Sequence, residues 1–187
     1  LPLALVTGLV IGFALAPAAA QLFKAHMGFC LYNMGFTAGL VGTLIVALYK
    51  SYGFVPDPVF IWTTGNNVLF AAFLTIVFLS MIGLGFYFDR GCPVGMKKLM
   101  DTSGQSPCDF IALVGFGPTL ANMGITGAIG MAYILAVGGE LNGPVIGAIF
   151  TIVGFAAFGK HPRNIVPIMV GGFLGSLAKP WNADDPP

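Results

Sequence analysis

The chain has 187 residues, of which 57% are hydrophobic and only 8% charged, with a mean hydropathy of +0.90. A soluble domain solvates its surface with about 25% charged residues, so seven acids and eight bases point to a multi-pass integral membrane protein. The net charge of +1, with no basic stripe carrying interleaved aromatics, argues against a nucleic-acid partner.

Six apolar segments follow one another at 3–23, 27–49, 59–88, 109–137, 143–159 and 164–178. They predict an all-α membrane bundle of about six spans, a single transmembrane domain over residues 1–187, with broken or re-entrant helices. The first segment carries Pro17, expected to break it, and a glycine-rich step at Gly28 precedes the second. The third opens with "WTTGNN" (62–67), where Trp62 suits an interfacial anchor and Asn66 a helix cap. The loop at 89–108 holds Arg90, Lys97 and Lys98. With Lys24, Lys160 and Arg163 in the other odd loops, the positive-inside rule places this loop in the cytoplasm and the protein in a cell membrane. Cys92 and Cys108 are then free thiols in a reducing compartment. Three cysteines without a C-x-x-C pair encode neither a disulfide framework nor a zinc site.

The fourth segment is too long for one span. Residues 109–137 would make a straight helix of about 43 Å against a hydrocarbon core of about 30 Å. Pro118, flanked by Gly115 and Gly117, is the expected break. A short helix over 107–116, with Ser106 as N-cap and Pro107 at its first position, would precede a span over 119–137. The fifth segment opens with "ELNGP" (140–144), where Asn142 suits a cap. The chain opens at Leu1 already inside apolar sequence, as expected of a fragment or half of a longer polypeptide.

Two stretches share an internal pattern. "GFCLYNMGFTAGLVG" (28–42) and "GPTLANMGITGAIG" (117–130) both read Gly-x-x-Leu-x-Asn-Met-Gly-x-Thr. Paired interruptions of apolar helices bring polar groups to mid-membrane in many transporters, and a broken helix survives only against protein or a water-filled cavity. Asn33, Thr37, Asn122 and Thr126 are therefore candidate pore-lining residues, with Phe29, Phe36 and Phe116 as candidates to narrow the path. Gly28, Gly35, Gly117, Pro118 and Gly124 are the candidate helix breaks, and Asn66, Asn67 and Asn142 the candidate vestibule. The alternative for the glycines is plain helix packing, since Gly35 and Gly39 form a literal G-x-x-x-G.

His26 and His161 read as peripheral residues at helix ends beside other cations. No segment carries a central carboxylate, which weakens coupling through a buried acid without excluding it, and a passive path for an uncharged solute needs none. Neither H-E-x-x-H, G-x-S-x-G nor a P-loop occurs, so no enzyme, metal or cofactor is expected.

"GFGPTLANMGITGAIG" followed by "NGPVIGAIFTIVGFAAFGKHPRNIVPIMVGG" resembles an uncharacterised family of prokaryotic multi-pass membrane proteins, a domain of unknown function. More loosely, the Asn-containing break followed by a small-residue helix is similar to the urea transporters. That resemblance implies two homologous halves around a narrow pore, often in a trimer, with Asn33 and Asn122 at the motif positions and Phe29, Phe36 or Phe116 in the slot. Met34 and Met123 stand where that family has proline. Together these readings lead to a channel or transporter for a small, uncharged polar solute. It would sit in the lipid bilayer as a homo-oligomer or with the remainder of a longer chain. The alternative is a non-transporting assembly subunit using glycine-rich helix faces.

Overall fold

The computed structural model describes residues 2–54 and 63–178, so Trp62 lies outside the described residues. Among the described residues the chain is helical throughout, with α1 Pro2–His26, α2 Asn33–Ser51, α3 Asn67–Phe88, α4 Cys92–Met100, α5 Phe110–Val114, α6 Phe116–Ala136, α7 Gly143–Phe155 and α8 Pro162–Ala178. Four of these, α1, α2, α3 and α6, are long and apolar enough to cross a membrane, against the six spans expected. At about 1.5 Å per residue, α7 with its 13 residues reaches only about 20 Å. The segment expected over 143–159 ends early because the chain turns at 156–161.

The chain divides into two compact units, 1–62 with 105–107 and 63–104 with 108–187. In the first, α1 and α2 form an antiparallel hairpin in which the hydroxyls of Thr7 and Tyr49 meet. Pro17 does not break α1: the helix runs through it and gives up only the bond its missing N–H would have made. The turn between the helices uses two left-handed residues, Met27 (φ 51°) and Gly28 (φ 80°). Gly28 is needed there, since a Cβ would lie 2.5 Å from the Ser106 carbonyl oxygen, and the Ser106 N–H donates to the Gly28 carbonyl at 2.9 Å.

The second unit is built around α6, against which α3, α4, α5, α7 and α8 all pack. Hydrophobic burial does not drive helices together inside a bilayer, so close backbone approach through small residues has to do so. A Cβ on Gly85 of α3 would sit 2.6 Å from the Gly117 carbonyl oxygen, and one on Gly124 of α6 would sit 2.7 Å from that of Phe78. Leu74, Phe78, Leu141, Ile149 and Val153 fill the space beside this contact. The basic loop at 89–108 contains α4, which buries Cys92, Met96 and Leu99 and seats Gly95 directly on Pro118.

The break before α6 lies at Gly115 rather than Pro118. Gly115 has φ 89° and ψ 175°, a conformation only glycine adopts without strain, and it both ends α5 and starts α6. Pro118 falls in the first turn of α6, where its missing N–H is an orphan in any case. Gly35, Gly117 and Gly124, expected as breaks, likewise lie inside helices. The short helix preceding α6 begins at Phe110, with Asp109 as cap accepting from the Ala112 N–H, in place of a start at Ser106 and Pro107.

Candidate functional site

The two copies of the shared pattern fall in different units and take different local forms. In the first, Asn33 is the opening residue of α2 and its Oδ1 faces His26 Nε2 at 2.9 Å. His26 Nδ1 accepts from the N–H groups of Gly28 at 3.2 Å and Cys30 at 3.4 Å. Those contacts set the tautomer: Nδ1 carries the lone pair, and the Nε2–H donates to Asn33. This histidine is a fastener of the α1–α2 turn rather than an outward-pointing cation. Thr37 is fully buried and donates to the Asn33 carbonyl at 2.7 Å. Phe29 and Phe36 are about half exposed, and Phe36 meets the His26 ring edge-on at 6.4 Å.

In the second copy, Asn122 is the seventh residue of α6 and is wholly buried. Its Nδ2 donates to the carbonyls of Ala156 and Lys160, each at 2.8 Å. Ala156 caps the end of α7 and Lys160 lies in the turn before α8, so one amide serves a carbonyl at a helix end and another in the turn beyond it. Because both neighbours are acceptors, the amide can face them only with its NH2. Asn122 Oδ1 is then left buried with no partner among the described residues. Thr126, also fully buried, donates back to the Asn122 carbonyl at 2.9 Å, as Thr37 does to Asn33. Phe116 is about half exposed and stacks edge-on with Phe88 at 6.0 Å.

The α7–α8 turn held by Asn122 is also gripped from the α4–α5 link. His161 is 2% exposed, which overturns its reading as a peripheral residue. Its Nε2 lies 3.1 Å from the Thr102 carbonyl oxygen, so that nitrogen carries the proton, and its Nδ1 is buried without a partner among the described residues. Asn164 ties the turn to itself, accepting from the His161 N–H at 3.0 Å and donating to the Gly159 carbonyl at 2.8 Å. Gly104 and Gly159 meet backbone to backbone: a Cβ on Gly104 would lie 2.3 Å from the Gly159 oxygen. The Phe110 N–H donates to the Ala157 carbonyl at 2.9 Å. Burial holds His161 below the ordinary histidine range, the bond to Thr102 pulls the other way, and Arg163 and Lys160 add to the lowering. An open cleft of about 310 Å³, lined by Met100, Asp101, Thr102, His161, Arg163 and Asn164, lies at this edge.

The asparagines expected at a vestibule serve helix ends and loops. Asn142 caps α7, its Oδ1 accepting from the Val145 N–H at 3.1 Å. Asn66 precedes α3 and donates to the Thr64 carbonyl at 3.3 Å without capping the helix. Asn67 clamps the α6–α7 connection, donating to the Gly139 carbonyl at 3.1 Å and accepting from the Leu141 N–H at 2.7 Å.

Among the described residues no group of three or more His, Cys, Asp or Glu side chains is placed to hold a metal ion. No curated protein and no solved structure matches the chain. One sequence family does match, over residues 1–51 and 89–186, and the chain belongs to it: the family described as Protein of unknown function (DUF1576).

Proposed function

We propose that the chain forms part of a membrane channel or transporter for a small, uncharged polar solute, with recognition centred on the polar middle of α6. The observation that carries this reading is Asn122, a fully buried amide about a third of the way along a membrane-length helix, at which the short helix α7 ends. Helices that stop inside the apolar layer and present free carbonyls to a polar side chain are a recurring device of solute sites. Leaving such groups in hydrocarbon costs several kcal/mol each, so a membrane protein keeps them where they serve a purpose. Asn122 Oδ1, the acceptor without a partner, suits a solute that offers N–H or O–H groups. Asn33 and Thr37 would offer a polar position of their own in the first unit. The bilayer of a prokaryotic cell membrane and further copies of the chain, or the rest of a longer one, would complete the assembly; no catalysis is assigned.

The test is solute flux. Vesicles carrying the purified chain, shrunk osmotically with a panel of small uncharged polar solutes, should re-swell faster than protein-free vesicles for at least one of them. Thr126→Val and Asn33→Leu should slow that solute. Re-swelling no faster than in protein-free vesicles for every solute would overturn the reading.

A second reading has its own support. Gly35, Gly39 and Gly42 of α2 have no described atom within 4 Å of an added Cβ, so nothing described within the first unit packs on this small-residue face. An assembly subunit would use it to receive another helix. Gly35→Leu with Gly39→Leu would then abolish co-purification of a partner while no solute moves.

A further inference from the structure

Two pieces of chain far apart in sequence meet at His161. The α4–α5 link, through residues 101–104 and its junction with Phe110, lies against the α7–α8 turn, residues 156–161. The contact is made by the His161 to Thr102 bond, the Phe110 to Ala157 bond, and the Gly104–Gly159 approach. Outside these, Arg163 donates to Asp101 Oδ1 at 2.8 Å, a pair more than half exposed on both sides and worth little by itself. We propose that His161 is the pin of a proton-sensitive latch: neutral, it holds the α4–α5 link on the α7–α8 turn, and taking up a proton releases that link.

The chemistry of the two ring nitrogens carries the argument. In the neutral ring, Nε2–H donates to Thr102 and Nδ1 is an unpartnered acceptor, a modest cost. Protonation places a second N–H and a full charge at the same buried position, where no described residue stands within hydrogen-bond reach of Nδ1. The charged side chains on the surrounding elements do not offset this. Lys160 and Arg163 flank the ring with like charge, and the Asp101 carboxylate is engaged by Arg163. Asp109 caps α5, Lys98 donates to the Leu113 carbonyl, and α7 carries no titratable group. Lys97 lies in the last turn of α4 and Cys92 opens that helix, Cys108 precedes α5, and α6 brings only Tyr133. The polar cleft on which His161 opens gives protons a route to it.

The direction follows from linkage. Above the ordinary histidine range both the closed and the opened latch hold neutral imidazole, and the latch keeps its full strength. As pH falls below that range the opened form takes the proton first, so the closed form is progressively disfavoured until its own, lower value is passed. Within that window each pH unit is worth about tenfold in the ratio of open to closed.

The experiment is hydrogen exchange on the full chain in lipid nanodiscs at about pH 7.5 and about pH 5, spanning the histidine range and corrected for the chemical exchange rate. The reporters are the backbone amides of 102–110 and 156–164, among them the Phe110 N–H. The wild type should open more in acid, by up to about tenfold for each pH unit crossed within that window. His161→Gln keeps an N–H donor for Thr102 but cannot take a proton, so its opening should not respond to pH. An equal response in both proteins would overturn the proposal. So would an unchanged or more protected wild type in acid, the outcome expected if the new Nδ1–H found Asn122 Oδ1. Should His161→Gln fail to fold, the ring of His161 in the wild type is titrated by NMR, and a value at or above the ordinary histidine range overturns the latch.

Discussion

The two copies of one ten-residue pattern share six identical positions and end in opposite circumstances. In α2 the pattern glycine Gly35 faces open space, while its counterpart Gly124 in α6 leaves no room for a single carbon beside the Phe78 carbonyl. Asn33 begins a helix and answers to a histidine seven residues away, whereas Asn122 sits inside a helix and fastens the end of another. What the copies keep in common is the hydrogen bond from Thr to the Asn carbonyl one turn back. Identical side chains therefore do not impose an identical backbone. Glycine accepts both a left-handed turn, as at Gly28, and a helix, as at Gly117, so the pattern fits either.

That contrast can be broken by substitution, with unfolding followed in detergent micelles. The largest effect is expected for Asn122→Leu, which strands the Ala156 and Lys160 carbonyls in a buried site and should cost about 3 kcal/mol. The matching Asn33→Leu leaves His26 one partner short in a half-buried turn and should cost clearly less. Next come the glycines, whose effects should differ in sign. Gly124→Ala should cost about 2 kcal/mol, because the obstacle is backbone and cannot move aside. Gly35→Ala, with free space around it inside a helix, should stabilise by about 0.5 kcal/mol. The smallest effect belongs to Asp101→Asn. It removes an exposed ion pair and should change stability by less than about 0.5 kcal/mol.

Much of the architecture is legible in the amino-acid sequence. Sparse charge and long apolar runs reveal the membrane and the helices, and the excess length of 109–137 reveals a break, because both are local quantities. The position of the break is harder to read. Pro118 looks like the stronger signal, yet proline is harmless in a first turn, and the left-handed Gly115 does the work instead. Pro17 shows the same limit, since a long helix tolerates one missing bond. The buried turn was not visible at all. "GKHPRN" (159–164) reads as a charged helix end, because the carbonyl that takes the His161 proton belongs to Thr102, 59 residues earlier. Asn67, too, shows its role only once the loop at 139–141 is folded against it. Partners so distant in sequence leave no periodic trace.

The most direct test of the contrast between the two copies is the solvent exchange of the asparagine side-chain NH2 groups, read by NMR in the full chain with labelled asparagine. The protons on the buried Asn122 Nδ2, each held by a carbonyl, are expected to persist long after those of the half-buried Asn33 have exchanged. Equal and rapid exchange at both positions would contradict the account, because Asn122 would then not be holding the end of α7 inside the protein.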